Sequence, residues 1–264
     1  MSDAPILYDA RDGVAVIRFN RPASRNAWNV PLVRAVKDAV RRANADETIG
    51  AIVLTGEGTV YSAGVDFRAP SEPRDETGRS PNPATLTMGQ GEDNWLKLLN
   101  DSKPVIAAVN GAAVGLGATH VLSADIRVAA RSASFSFPFL KLGAMPECGG
   151  TALLGRIVGF GRAMDLCLRA REISAEEALR IGLVTEVFED ADLMEQTVAL
   201  ASRIAAFQPL PLSMTKKMMW DHAGLFDPDA LMRAESAAFV RMLRAAGRSR
   251  SIETAPVAED PADS

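Results

Sequence analysis

Apolar positions along the chain change their period several times, and each change predicts an element. Val14-Ala15-Val16-Ile17-Arg18-Phe19 is β-rich and follows Asp12-Gly13, so it reads as the second strand of a hairpin. From Val30 to about Asn44 the apolar residues Val33, Val36 and Val40 recur at helical spacing, with Lys37, Arg41 and Arg42 on the other side. Ala51-Ile52-Val53-Leu54 is a short continuous apolar run ending at Gly56, the pattern of a strand buried on both faces. Val105 to Val109 repeats it before Asn110-Gly111, and Ile126 to Ala129 gives another strand. Strand, helix and strand in this order predict an α/β fold with parallel pairing. Residues 69 to 91, rich in Pro, Gly, Ser, Thr and charge, read as a long loop that could cover a site. Ser174-Ala175-Glu176-Glu177 is a capping box opening a helix that Gly182 closes. Amphipathic stretches follow at about 191–206, 210–222 and 229–246, and the tail from about 253 has few large apolar groups and reads as disordered.

Composition narrows the class. The 264 residues carry 47% hydrophobic and 23% charged side chains, as in an ordinary globular protein with a sizeable core. A net charge of −4 argues against a general nucleic-acid binder, which would present a basic face. No stretch approaches the roughly 18 to 20 apolar residues of a membrane span, and the N-terminal residues lack a basic segment followed by an apolar run. Two cysteines, Cys148 and Cys167, and two histidines, His120 and His222, form neither a disulfide scaffold nor a zinc motif. The expectation is a cytoplasmic protein with reduced thiols, no metal and no resident cofactor.

Several chemistries are excluded by missing motifs. Gly115-Leu116-Gly117 is followed by Ala118-Thr119-His120, so the dinucleotide fingerprint lacks its third glycine, and no nucleophile elbow occurs. Two glycine-bearing turns remain, each after a predicted buried strand: Gly56 to Phe67 and Asn110 to Ala118. Small residues there allow a ligand close to the backbone, and the second turn leads into a helix whose first N–H groups are free. Two such turns could supply two backbone donors to one developing oxyanion. On glycine placement alone the plainer reading, in which the glycines only turn the chain, is the better one.

The residues themselves resemble a known family. Asn20-Arg21-Pro22 with Asn26-Ala27, then Tyr61-Ser62-Ala63-Gly64-Val65-Asp66-Phe67, the block Lys103 to Gly117, and Ser174 to Val184 are similar, in order, to motifs of the enoyl-CoA hydratase/isomerase (crotonase) superfamily. The resemblance covers about residues 13 to 190. It implies a spiral of ββα repeats with a C-terminal α-helical trimerisation region, here divided as 1–195 for the α/β core, 196–252 for the helical oligomerisation region and 253–264 for the tail. It implies an acyl-CoA thioester as substrate, with coenzyme A entering only as part of it, and a homotrimer or dimer of trimers. Carried over by position, the backbone N–H groups of Val65 and Leu116 are the oxyanion donors. Arg25, Ala27, Ala63, Asp66, Gly115 and Phe139 fall on the substrate-binding segments, although Arg25 also fits a solvated surface residue and Asp66 also fits a residue that fixes the turn.

The departures bear on the reaction. Hydratases of the superfamily use two glutamates, and the aligned positions here are Thr119 and Phe139, neither of which is a base. Leu142 to Gly150 instead resembles the LGxxPExG segment of some family isomerases, which places Glu147 as a proton shuttle. Its alternative role is that of an acid favoured at a helix N-terminus. Phe137, Phe139 and Met145 are expected to line an apolar pocket around it. Cys148 lacks a neighbouring base and reads as packing. The chain also lacks the family's usual C-terminal helix ending, running from Arg248 into an acidic tail. The expected activity is isomerase-type double-bond migration. The alternatives are hydration, hydrolysis or carbon–carbon cleavage with another base such as His120, and an acyl-CoA-binding protein without activity.

Overall fold

Asp12 and Gly13 both take positive φ, 53° and 77°, and close a two-residue turn between β1 (Ile6–Arg11) and β2 (Val14–Phe19). The strands pair antiparallel, as the hairpin pattern predicts. This computed structural model describes residues 4–68, 88–89, 93–224 and 227–245. Apart from Met88 and Gly89, the predicted loop 69–91 lies outside or at the edge of the described residues, and so does the tail 253–264.

Beyond the hairpin, β3 (Ala51–Gly56), β4 (Val105–Val109), β6 (Ile126–Ala130) and β9 (Glu186–Phe188) add in parallel, giving the order β1-β2-β3-β4-β6-β9. Every residue of β3 and β4 is buried, which is why both read as unbroken apolar runs. Between β2 and β3, α1 (Val30–Ala45) starts where the Asn29 side chain accepts from the Leu32 N–H at 3.0 Å. Its buried stripe includes Leu32, Val33, Val36 and Val40.

A second sheet was not legible from the sequence. It joins β5 (Ala113–Val114), β7 (Ser134–Ser136) and β8 (Glu172–Ser174), each too short to carry a period of its own. Three short helices position the site: α2 (Trp95–Asn100), α3 (Leu116–Val121) and α4 (Gly150–Val158). They are followed by α5 (Phe160–Arg169) and α6 (Ala175–Arg180). The Ser174 side chain caps α6 by accepting from Glu177 N–H, while the Glu177 carboxylate turns to Arg171 at 2.8 and 2.9 Å. The capping box is therefore half formed, because a guanidinium outcompetes the box's second hydrogen bond.

The chain divides into two compact units, Met1–Phe207 and Gln208–Ser264. The expected boundary at 195 falls inside α7 (Leu193–Ala205), which belongs to the first unit: Leu193, Thr197, Val198 and Ala201 are buried, and the helix packs across β2, β3, β4, β6 and β9. In the second unit α8 (Pro209–His222) packs on α9 (Pro228–Ala245). Among its described residues no apolar side chain is buried, and Met219, Met232 and Phe239 are exposed.

Candidate active site

The two glycine-bearing turns lie side by side. Ser62 N–H donates to Ala112 O at 3.1 Å and Val114 N–H donates to Ser62 O at 2.9 Å, a short parallel bridge between the turns. On its other side the first turn is bridged to Trp28, whose N–H donates to Gly64 O at 2.7 Å and whose carbonyl accepts from Asp66 N–H at 2.9 Å. The second turn is held by Gly115 N–H, which donates to Ser136 O of β7 at 2.9 Å. Glycine is required where the turns touch: Gly64 sits at φ 89°, and a Cβ there would lie 2.7 Å from Val114 O and 3.5 Å from Leu116 N.

Most backbone donors of the two turns are spent within the fold. Ser62, Ala63, Gly64 and Asp66 all donate within the fold, as do Val114, Gly115, Ala118 and Thr119. Among the described residues nothing accepts from the N–H groups of Val65, Leu116 or Gly117. Leu116 and Gly117 open α3, where unpaired N–H groups are intrinsic to a helix start. Val65 and Leu116 both line a cleft of about 460 Å³. Donors left unpaired beside a cleft are open to an acceptor from outside the chain.

Of the sequence-predicted residues, Ala63, Val65, Gly115, Leu116, Phe139 and Glu147 line this one cleft. Arg25, Ala27 and Asp66 are not among its lining residues. Arg25 is exposed, with φ 51°, and its carbonyl accepts from Ala63 N–H at 2.9 Å. Ala27 is buried and its carbonyl accepts from Arg21 Nη1. Asp66 is buried against Arg21, with Nη2 to Oδ2 at 2.9 Å, and also accepts from Arg68 N–H. Burial alone would raise its pKa, but the Arg21 hydrogen bond, the Arg68 N–H and the two guanidinium charges outweigh it and hold the carboxyl below the ordinary aspartate range.

The remaining wall is apolar, with Phe67, Leu142 and Met145 beside Phe139. Phe137, expected there, is core instead: it is 1% exposed and absent from the cleft wall. The cleft wall takes Pro138 and Phe139 but not Phe137, whose ring is packed in the interior. Phe67 and Leu142 were missed as lining residues, since their patterning is that of ordinary surface loops.

Among the described lining residues Glu147 is the one ionisable side chain. Thr119 is fully buried, and its hydroxyl lies 3.4 Å from Gly115 O and 3.3 Å from Leu116 O, so it is spent on its own helix. Burial and the neighbouring charge of Glu147 push the Cys148 thiol up to about 12, which leaves it un-ionised at neutral pH. His120 is 1% exposed within a ring of Phe19, Trp28, Tyr61 and Trp95, at centroid distances of 4.8 to 5.8 Å. Burial drives its pKa down to about 3, so it is a neutral core imidazole whose Nδ1 lies 3.3 Å from the Tyr61 hydroxyl.

The sequence profile of the enoyl-CoA hydratase/isomerase family matches residues 9–254. The chain belongs to the enoyl-CoA hydratase/isomerase family. Its fold is accordingly the crotonase fold, an α/β spiral with C-terminal helices. The crystal structure of enoyl-CoA hydratase from Bacillus anthracis superposes on this family member with a TM-score of 0.80 at 27% identity, covering 94% of this chain and 96% of that one. A probable enoyl-CoA hydratase of Mycobacterium bovis is 36% identical over 95% of this chain and 90% of its own length. The 1,2-epoxyphenylacetyl-CoA isomerase of Escherichia coli is also 36% identical, over 80% of each chain. The family is an enzyme family that handles acyl-CoA thioesters, and among the described residues this member has no helix long and apolar enough to cross a membrane and no cluster of metal-ligating side chains.

Proposed function

We propose that this enzyme moves a β,γ double bond of an enoyl-CoA thioester into α,β conjugation through a dienolate. The observation that carries this reading is a cleft whose described lining holds two unpaired backbone donors, Val65 and Leu116, and one ionisable side chain, Glu147. The thioester oxygen accepts from the two N–H groups. The Glu147 carboxylate removes a proton from C2, the electron pair delocalises over the dienolate, and the same proton is returned at C4. One carboxylate suffices, since it ends the cycle ionised as it began. Positioned donors of this kind are each worth about 10²- to 10³-fold in kcat. Arg25, Ala27 and Ala63 are assigned to the coenzyme A side of the substrate, and Asp66 to holding the turn.

Water addition is the second reading, favoured by the name of the Mycobacterium bovis relative. Syn-hydration by two acids is unsupported, because Thr119 is sealed in α3 and Phe139 is apolar. His120 offers no substitute base, because burial lowers its pKa to about 3, leaving too weak a proton acceptor, and it lies outside the cleft wall. Hydration would then fall to Glu147 alone. Assays of Glu147→Gln on a 3-enoyl-CoA and a 2-enoyl-CoA separate the cases. The expected result is loss of isomerisation by about 10²-fold or more, with little water addition by the wild type. A variant that isomerises at the wild-type rate sinks the assignment, and binding of both thioesters without turnover would instead indicate an acyl-CoA-binding protein. The exposed apolar residues of α8 and α9 support assembly as a homotrimer or dimer of trimers, a state that light scattering measures directly.

A further inference from the structure

Arg21 does not line the cleft, yet one guanidinium holds both strands of the bridge that carries Val65. Its Nη1 donates to Ala27 O and its Nη2 to Asp66 Oδ2 at 2.9 Å. Ala27 precedes Trp28, and Asp66 follows Val65. Between those anchors Trp28 clamps the peptide groups on each side of Val65, through Gly64 O at 2.7 Å and Asp66 N–H at 2.9 Å. The Val65 N–H is the donor left over. The backbone that carries the guanidinium is itself anchored: the Arg21 backbone N–H donates to Asn26 Oδ1 at 2.9 Å, and Asn26, fully buried, donates through Nδ2 to Glu57 O and Val60 O at 2.9 and 2.7 Å. The Arg21–Asp66 pair is 21% and 6% exposed, so solvent screens it weakly.

We infer that Arg21 is a positioning residue, which sets the direction of the Val65 N–H through its paired bonds to Ala27 and Asp66. The inference rests on Val65 being an oxyanion donor, as proposed above. It also gives the early Asn20-Arg21-Pro22 and Asn26-Ala27 motif a physical task, joining residues 45 positions apart. A lysine keeps the charge but lacks the planar fork that reaches two acceptors at once.

Arg21→Lys, Asp66→Asn and the double variant test this. Misplacing a donor by a fraction of an ångström lowers kcat without weakening ground-state binding. The expected result is a kcat loss of about 10- to 100-fold in Arg21→Lys, with the Kd for butyryl-CoA within about 3-fold of wild type. The double variant should be no worse than the poorer single, because both act through one pair. A second readout is independent of turnover: the infrared band of the thioester carbonyl in bound [1-13C]butyryl-CoA. It should move to lower wavenumber in the wild type and move less in each variant. If the wild type fails to isomerise 3-enoyl thioesters but keeps this shift, and Arg21→Lys loses it, the reaction is wrong and the positioning role stands. Unchanged kcat and an unchanged band in folded Arg21→Lys and Asp66→Asn overturn the inference, as does the absence of any carbonyl shift in the wild type.

Discussion

Gly64→Ala is the sharpest perturbation available, because it acts on the contact between the two turns and on neither reacting group. The alanine Cβ would stand 2.7 Å from Val114 O, against the 3.4 Å at which ordinary contact begins. The obstacle is backbone and cannot swing aside, so the turns must part by about 0.7 Å. A donor at 2.9 Å from an oxyanion would then stand near 3.6 Å, beyond useful hydrogen-bonding distance. Losing one such donor costs about 10²- to 10³-fold in kcat. The residue must also hold φ 89°, a strain of about 1–3 kcal/mol for a residue with a side chain. Isomerisation kinetics on a 3-enoyl-CoA measure the first effect and urea denaturation the second. Gly159→Ala, between α4 and α5 and absent from the cleft wall, is the control: it forces a side chain onto φ 85° but meets nothing within 4 Å. It should lose stability with a much smaller loss of kcat than Gly64→Ala. A folded Gly64→Ala protein whose kcat stays within about 3-fold of wild type would refute the reasoning, since it would mean that the spacing of these two turns is irrelevant to the rate.

Other outcomes follow from groups around the cleft. Iodoacetamide at pH 8 should label Cys148 at least about 10²-fold more slowly in the folded protein than in urea, because the raised pKa removes the thiolate; equal rates by mass spectrometry would contradict the raised pKa. His120, neutral when folded with a pKa of about 3, gains a proton on unfolding below its unfolded value near 6.5. The unfolded state thus binds more protons between about pH 6.5 and 3, and stability contributed by the neutral imidazole is lost as pH falls through that window, by up to about 1.4 kcal/mol per unit. His120→Phe should flatten the acid limb of the stability profile, and an identical limb in both proteins would show the imidazole to be solvated. For the same reason the pH dependence of kcat/KM should contain no imidazole titration that His120→Phe abolishes.

Much of this protein was decided locally, and local features are legible in order along the chain. The hairpin turn at Asp12-Gly13, the unbroken runs of β3 and β4 and the spacing of α1 each depend on neighbours within a few residues. Their period states whether one face or both meet the core. The three C-terminal stretches at 191–206, 210–222 and 229–246 likewise became α7, α8 and α9, although the burial of α7 against the sheet moved it into the first unit. Family motifs pointed to Val65, Leu116 and Glu147 as residues sharing a site, and the three do line one cleft.

Tertiary structure decided what depends on two distant segments at once. The strands of the second sheet are two or three residues long, so only their pairing makes them strands. That Phe139 faces the cleft while Phe137 is core cannot be read from two aromatic residues flanking a proline. Nothing in the sequence around His120 tells that four aromatic rings from separate elements enclose it and forbid its charge. Most of all, composition marks many N–H groups as belonging to glycine-bearing turns. Only the completed network of bonds between residues 28, 62 to 66, 112 to 115 and 136 shows which are left over. An unpaired donor is a property of the whole hydrogen-bond account, and that account closes only when the chain is folded.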